Sequence, residues 1–210
     1  MMKNDNKVIL LEAHGGDLAH ARAAWASTGK KVEEEKHRIP ALLEMLAEND
    51  HGTPFEHSMI TFLVTSEIAT HIQFLKHRAG VSVNSESARY KEIKEDNHYV
   101  PSDWPESVVR EYETFMCAAF ERYHQTVENL VKNHKFSRSR AKETARFFRP
   151  YGSQITYIVT MNFRSFVHFQ GLRNTVHSQN EIRNISGLML MLLQNHGDFY
   201  YSLKAYGYSK

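Results

Sequence analysis

The clearest hydrophobic pattern of the chain lies between residues 104 and 133. Apolar side chains recur there every three or four positions, which is the spacing of one face of an α-helix. The positions that follow this spacing are Val108, Tyr112, Phe115, Ala119, Tyr123, Val127 and Leu130. The pattern therefore predicts one long helix with a single buried face.

Shorter helices are predicted on both sides of this segment. Asp17 is suited to cap a helix that runs through Trp25, because its carboxylate can accept a backbone N–H of the first turn. A second helix is predicted over 33–49, where Pro40 suits the first turn of its main part. Helical spacing returns over 68–78, 137–149, 163–173 and 178–195.

Strands are fewer than helices. A short strand is predicted over 8–12, a largely buried strand over 57–66, and a third over 155–161, where apolar residues alternate. Residues 79–90 are rich in Ser, Asn and Gly, and they are predicted to form a loop. The pattern indicates an α+β fold, rich in helix with a small mixed sheet, in a single domain over 1–210.

Composition narrows the class of protein. Of the 210 residues, 41% are apolar and 24% are charged, as in ordinary globular proteins. The apolar run 188–193 is far shorter than the roughly 20 residues of a membrane span, and the N-terminus has no apolar signal segment. We therefore expect a cytoplasmic protein with no membrane association.

Cys117 is the only cysteine of the sequence. A single cysteine excludes an intrachain disulfide and a multi-cysteine zinc site. Its place in the predicted long helix indicates a thiol on or near the apolar side, as is usual for a buried free cysteine.

The net charge of +2 is too small to indicate a nucleic-acid binder as a whole. A local basic run nevertheless lies in the predicted helix 137–149, where it is interleaved with Phe147 and Phe148. This run suggests an alternative function, nucleic-acid binding through one helix, beside the simpler interpretation of a solvated face. One of its arginines could still point inward. Its members are Arg138, Arg140, Lys142, Arg146 and Arg149.

Residues suited to chemistry concentrate in three segments. Four of the 13 histidines lie between 51 and 77, and His51 and His57 are close enough in sequence to face one pocket or to be two exposed imidazoles. Their spacing fits no familiar zinc pattern, so no metal site is predicted.

The second and third segments carry cations. Gln73, Lys76 and His77 have the spacing of one helix face, and the chain continues to Arg89 through several hydroxyl and amide donors. Such donors suit a phosphate, so this segment is either an anion site or a solvated turn. The third segment begins at Asn162, and its cationic residues also fit a solvated helix face.

Three blocks of sequence stand out together. Residues 53–57 read Thr-Pro-Phe-Glu-His, 76–78 read Lys-His-Arg, and 87–90 read Ser-Ala-Arg-Tyr after a spacer. The last block runs Asn162-x-Arg164-Ser165, then Leu172-Arg173 and His177-x-Gln179-x-Glu181-Ile182. In this order, over about residues 15–190, they resemble the flavin-dependent (alternative) thymidylate synthases.

The chain departs from the family signature in one loop. Lys76 stands where the family has arginine, and the spacer before Ser87 has eight residues where seven are common. Ser85 follows Asn84 where glutamate is expected, which leaves Glu86 as the candidate for that role. Lysine keeps the positive charge but lacks the planar fork of a guanidinium, so contacts to phosphate or flavin there are expected to be looser.

The resemblance implies an activity and an assembly. It implies reductive methylation of dUMP to dTMP, with methylenetetrahydrofolate as carbon donor, NADPH as reductant and bound FAD as hydride carrier. It also implies the thymidylate synthase-complementing fold and a homotetramer whose sites are shared between subunits. Shared sites would explain why no Gly-x-Gly-x-x-Gly fingerprint of a dinucleotide-binding fold occurs.

The same resemblance assigns roles to individual residues. Arg173 takes the central catalytic role, and His51 lies near the flavin, where it helps to position folate. The implied FAD contacts are Thr53, His77, Arg78, Glu86, Asn162, Arg164 and His168. The implied dUMP contacts are Gln73, Lys76, Glu86, Ser87, Ala88, Arg89, Arg146 and Arg173.

The chemistry of uracil favours the same assignment. Its C5 is a poor nucleophile, which is activated either by a cysteine that adds to C6 or by stabilisation of negative charge on the ring. The position of Cys117 argues against the first route. A guanidinium beside N3 serves the second, and the resemblance places Arg173 there. Ser87 has no adjacent Ser-His-acid arrangement and is interpreted as a substrate donor.

Overall fold

The computed structural model describes residues 5–87, 89–92 and 95–208. The helices and strands are, in chain order, β1 (Lys7–His14), α1 (Gly16–Ala26), α2 (Val32–Glu35), α3 (Ile39–Glu48), β2 (Met59–Glu67), α4 (Ile68–Phe74), β3 (Val81–Ser85), α5 (Glu106–His134), α6 (Arg138–Ala145), β4 (Gln154–Met161), α7 (Phe163–Arg173), α8 (Asn180–His196) and α9 (Tyr200–Ala205). Short 3₁₀ turns occupy Lys36–Arg38, Thr53–Glu56 and Arg146–Phe148.

The four strands form one sheet in the order β1-β2-β4-β3. Threonine hydroxyls pair across β2 and β4 at 3.1 Å, Thr61 with Thr160 and Thr65 with Thr156. The partner's residue number falls along β4 as the residue number rises along β2, so these two strands are antiparallel. The helix-rich α+β class is confirmed, and the sheet is antiparallel throughout rather than mixed. Strand direction depends on pairing between distant segments, which hydrophobic periodicity does not specify.

The chain forms two compact units. The first unit holds the described residues of 1–7, 65–74 and 85–157, and the second holds those of 8–64, 75–84 and 158–210. Strands β2 and β4 are each divided between the two units, with one end of the strand in each. The single domain over 1–210 stays a prediction.

The core of the first unit is built on the long amphipathic helix α5. Met116, Phe120, Tyr123 and Val127 are its buried residues, spaced by three and four positions as the hydrophobic pattern predicts. Helix α6 packs against this stripe through two buried alanines. Cys117 follows Met116 by one position, which turns it about 100° away from the stripe. Its thiol is therefore exposed, and the prediction of a buried cysteine is wrong.

The core of the second unit is aromatic. His20 is fully buried and its ring lies 5.2 Å from the rings of both Phe55 and Phe163. Asp17, on the same helix α1, accepts the backbone N–H groups of Tyr201 and Ser202 at 2.8 Å each. A buried carboxylate thus satisfies two donors at the start of α9, which fixes the C-terminal helix to α1.

Several boundaries differ from the sequence predictions. The helix predicted over 33–49 is divided by a 3₁₀ turn, and its main part α3 begins with Pro40 in the first turn, as expected. The helix predicted over 68–78 ends at Phe74, so Lys76 and His77 lie in the following turn and share no helix face with Gln73. The predicted loop 79–90 contains the strand β3.

Within the described ranges, no helix is long and apolar enough to cross a membrane. The same residues hold no group of three or more His, Cys, Asp or Glu side chains placed to bind a metal ion.

The buried histidines predict acid sensitivity. Burial lowers the pKa of His20 to about 3, and burial lowers that of His77 to about 4, while an unfolded histidine titrates near 6.5. Below about pH 7 the unfolded chain therefore binds more protons than the folded one, and the free energy of unfolding falls as pH falls towards 5. Urea unfolding at several pH values measures this slope.

A pair of variants isolates the contribution of His20. His20→Gln should flatten the pH slope of the unfolding free energy, whereas His37→Gln, at an exposed position, should leave it unchanged. Equal stability of the wild-type protein at pH 7 and pH 5 contradicts the prediction.

Candidate active site

The first unit contains a cavity of about 700 Å³, which we call the Glu86 pocket. Its walls come from the segment after β3, the 3₁₀ turn before β4, β4 itself and the junction of β2 with α4. The polar and charged residues of its lining are Thr65, Glu86, Ser87, Lys91, Glu92, Glu95, Asn97, Arg146, Arg149, Gln154 and Thr156. Three residues predicted to bind the nucleotide, Glu86, Ser87 and Arg146, thus lie together.

Glu86 is held in place by two hydrogen bonds. Its carboxylate accepts the Lys91 ammonium at 2.7 Å and the backbone N–H of Thr156 at 2.9 Å. Burial alone would raise the pKa of Glu86, but these two donors and the positive charges of Lys91 and Arg149 outweigh it and hold the pKa below its ordinary value. The carboxylate is therefore ionised at neutral pH.

Glu86, and not its neighbour Ser85, faces the pocket. The Ser85 hydroxyl is hydrogen bonded at 2.6 Å to Nε2 of His71. The departure from the family signature at position 85 thus still leaves a carboxylate one residue later, on the wall of the cavity.

Two predicted nucleotide residues of the first unit are not on the walls of the pocket. Arg89 is exposed and forms an ion pair with Glu143, Nε to Oε1 at 3.0 Å. Gln73 is partly buried in α4. Ala88 lies outside the described residues, so its contact with the nucleotide stays a prediction.

The second unit contains a hydrogen-bonded pair of a histidine and an arginine, which we call the His77–Arg173 pair. Nε of Arg173 donates to Nε2 of His77 at 3.0 Å. His77 is buried, and its ring lies 4.9 Å from Phe169 and 6.4 Å from His168. Burial, followed by the charges of Arg173 and His168, lowers the pKa of His77 to about 4.

A neutral His77 has a definite chemical consequence. Because Nε2 accepts the hydrogen bond, the ring proton is on Nδ1. A neutral acceptor orients the guanidinium of Arg173 without neutralising its charge. Among the described residues, no carboxylate lies within ion-pair distance of Arg173, so the pair presents an oriented positive charge.

Helix α7 carries Arg164, His168 and Arg173, and its N-terminus is fastened to the turn before β3. The Asn162 side chain caps the helix by accepting the N–H of Ser165 at 2.8 Å. The Ser165 hydroxyl donates to the carbonyl of Ala79 at 2.8 Å. The residues predicted to contact flavin on α7 are thereby tied to the turn that holds His77 and Arg78.

Arg164 and the segment 51–57 lie near each other. The Arg164 guanidinium donates to Glu56 at 2.6 Å, and a Cβ on Gly52 would lie only 2.6 Å from its Nε. Glycine at position 52 thus lets the arginine lie against the backbone. His51, Thr53, Lys76 and Arg78 have exposed side chains, which leaves them open to a ligand or to solvent.

Sequence reasoning missed two features of these sites. Arg149 appeared only as a member of the basic run, yet it lines the Glu86 pocket. The bond between His77 and Arg173 joins residues 96 positions apart. The available signal for Arg149 was its position at the end of the predicted helix 137–149, directly before Pro150, which indicates a helix end but not a binding role.

Comparison with known proteins identifies the family. The family model described as thymidylate synthase complementing protein matches residues 9–196, and the chain belongs to this family. The expectation of an enzyme of the thymidylate synthase class is confirmed.

Relatives and solved structures agree with this family. The flavin-dependent thymidylate synthase of Thermosipho africanus is 34% identical over 187 residues, which cover 83% of this chain and 79% of the relative. That of Streptomyces coelicolor is 28% identical over 191 residues, covering 82% and 76%. The UMP/dUMP methylase PolB of Streptomyces cacaoi, solved with 5-Br dUMP, superposes with a TM-score of 0.84 at 27% identity, covering 99% and 96%.

Proposed function

We propose that this protein converts dUMP to dTMP by reductive methylation, with FAD as bound cofactor, methylenetetrahydrofolate as carbon donor and NADPH as reductant. The observation that carries the proposal is the His77–Arg173 pair, in which a neutral imidazole orients a charged guanidinium. The similarity to a methylase solved with dUMP and UMP analogues supports the choice of substrate.

Arg173 would activate the uracil ring in this proposal. A guanidinium fixed beside N3 and its neighbouring carbonyl stabilises negative charge on the pyrimidine, which makes C5 more nucleophilic. The hydrogen bond to His77 uses the Nε side of Arg173, so the guanidinium is oriented before substrate binds. Preorganised charge of this kind acts without reorganisation during the reaction.

The Glu86 pocket would receive the nucleotide. Its arginine guanidinium and hydroxyl groups suit a phosphate and a sugar, with Arg146 and Ser87 as donors and Glu86 as acceptor. Gln73, Lys76, Ala88 and Arg89 remain proposed contacts on the resemblance alone.

The residues of the second unit suit an anionic dinucleotide cofactor. Arg78 supplies positive charge, and Arg164 supplies a guanidinium that is paired with Glu56 at 2.6 Å. Thr53, His77, Asn162 and His168 supply further polar groups. Glu86, in the first unit, remains a proposed contact from the resemblance. FAD, when bound, would carry the hydride between NADPH and the transferred carbon. His51 is exposed on the segment that reaches Arg164 through Glu56, and it would help to position folate.

A homotetramer with shared sites and a cytoplasmic location are part of the proposal. Nucleic-acid binding through residues 138–149 is the alternative, and the structure gives it little support. Arg138 forms hydrogen bonds to Glu92 at 2.6 and 2.7 Å and to Glu128 at 2.8 Å. Arg140 is paired with Glu143 at 3.1 Å. These carboxylates reduce the positive charge that a phosphate backbone would need.

An NADPH oxidation assay tests the proposed function. Purified protein with FAD should oxidise NADPH and form dTMP when dUMP and methylenetetrahydrofolate are both present. A nucleic-acid binder would take up no flavin and would show salt-sensitive binding to duplex or single strands. A yellow protein that forms no dTMP would instead be a flavoprotein that has lost the activity.

The Cys117→Ala variant tests whether a thiol takes part. Because the thiol is exposed and the ring is proposed to be activated by Arg173, turnover should stay within about twofold of the wild-type value, the size of a neutral surface change. Steady-state assays of dTMP formation measure the effect. Complete loss of turnover in a variant that remains folded by circular dichroism would instead support addition of the Cys117 thiol to C6 of uracil.

A further inference from the structure

Arg149 occupies an unusual position in the Glu86 pocket. Its side chain is partly buried on the wall of the cavity, and its Nε is completely buried without a hydrogen-bond partner. One Nη group reaches the backbone carbonyl of Gln154 at 3.4 Å, the long limit of a hydrogen bond. The guanidinium carbon lies 5.5 Å from the ring centre of Phe120. Among the residues that the structure describes, few donors of this cation therefore have a partner.

The pocket carboxylates Glu86, Glu92 and Glu95 form no ion pair with Arg149, although the charge of Glu86 acts on it at longer range. Glu86 is bonded to Lys91 at 2.7 Å, and Glu92 receives two N–H groups of Arg138 at 2.6 and 2.7 Å. Within the described part of the chain, no carboxylate lies within ion-pair distance of Arg149. A partly buried cation without a direct ion-pair partner is costly, and an anionic ligand reduces that cost.

Local backbone geometry places Arg149 beside Arg146. The 3₁₀ turn Arg146–Phe148 ends at Arg149, whose N–H donates to the carbonyl of Arg146 at 3.0 Å. A 3₁₀ helix has three residues per turn, so side chains three positions apart project in the same direction. The two guanidinium groups accordingly line the same cavity.

We propose that Arg149 is a second phosphate-binding arginine of this pocket and acts together with Arg146 on the monophosphate of the nucleotide. This inference rests on the proposed function, in which the Glu86 pocket receives a uridine nucleotide. Of the parts of such a ligand, only the phosphate carries the negative charge that matches two guanidinium groups, and each can bind it through paired N–H donors.

The test compares ligands with and without the phosphate. Isothermal titration of the FAD-loaded protein gives the dissociation constants of dUMP and of deoxyuridine for the wild type and for Arg149→Met. The variant should bind dUMP about ten- to a hundredfold more weakly, the effect of losing charge-assisted hydrogen bonds. Its affinity for deoxyuridine should be unchanged.

Two further variants serve as controls. Arg122→Met removes an exposed arginine of α5 outside the pocket and should leave both dissociation constants unchanged. Arg149→Lys keeps a charge without the planar fork, so it should bind dUMP with intermediate affinity. Thermal unfolding of each variant verifies that the fold is intact.

The outcomes separate this inference from the proposed function. Equal weakening of dUMP and deoxyuridine binding by Arg149→Met would assign the residue to the base or to the fold and overturn the inference, as would unchanged dUMP binding. Titration with inorganic phosphate tests the anion site when the protein does not bind dUMP. Phosphate binding that depends on Arg149, in a protein that does not bind dUMP, supports the anion site and contradicts the proposed function.

Discussion

Replacement of Arg173 by alanine is expected to lower dTMP formation at least about a hundredfold, the size of the loss when one group that stabilises transition-state charge is removed. The variant should keep its flavin, because Arg173 is not among the proposed cofactor contacts. Its partner His77 remains in place beside Phe169. Product formation by chromatography and flavin content by visible absorbance measure the two properties in the same preparation.

Two variants sharpen this prediction. Arg173→Lys keeps a positive charge but loses the Nε that donates to His77, so its turnover should lie well below that of the wild type. Arg22→Ala removes an exposed arginine of α1 that contacts Glu33 at 3.4 Å, and it should have full activity. Turnover retained in Arg173→Ala would remove the proposed role of the guanidinium.

Substitution of Gly80 by alanine is expected to weaken flavin binding about tenfold, from about 1–3 kcal/mol of strain and displacement. Gly80 has a φ of +63°, and an added Cβ would collide with the Ser165 hydroxyl and would lie 2.7 Å from the Asn162 amide nitrogen. These two side chains fasten the start of α7, so their displacement moves the proposed flavin contacts that follow on this helix. Titration of the apoprotein with FAD measures the affinity.

Gly29 provides a matched control for this substitution. Its φ is +67°, but an added Cβ would meet no atom within 4 Å. Gly29→Ala therefore carries the same backbone strain without the collision, and it should bind FAD like the wild type. Equal FAD affinity of the Gly80 and Gly29 variants would show that the Asn162–Ser165 contacts do not position the cofactor site.

Helices with sustained periodicity and three of the four strands were predictable from the sequence, whereas strand β3 and the long-range contacts were not. Helix α5 repeats its apolar spacing over many turns, so a single misplaced residue does not hide the pattern. Strand β3 has five residues, two of them Ser82 and Asn84 on its exposed side. Its strand conformation depends on pairing with β4, which lies far along the chain.

The candidate sites show the same limit. The resemblance grouped Glu86, Ser87 and Arg146, and the structure places all three on one cavity, although their binding role stays a proposal. Periodicity assigned Cys117 to the apolar side of α5, yet one position along a helix was enough to expose it. The inward position of Arg149 depends on a 3₁₀ turn that no sequence pattern specified.

Charge pairing could not be predicted from the basic run. Arg138 and Arg140 form ion pairs with carboxylates, whereas Arg149 of the same run lines the pocket and has no ion-pair partner among the described residues. Glu92, which binds Arg138, is 46 positions away in sequence. Tertiary contacts therefore decide whether a basic residue belongs to a solvated face or to an anion site. The amino-acid composition of the segment does not predict this difference.

A single-turnover experiment tests the central claim most directly. The protein with bound FAD is reduced by NADPH without oxygen, mixed with dUMP and methylenetetrahydrofolate, and analysed for dTMP and for the mass of the polypeptide. We predict that the amount of dTMP equals the flavin content and that the polypeptide mass is unchanged throughout. Formation of dTMP by flavin-free protein, or a nucleotide covalently bound to Cys117, would contradict the account.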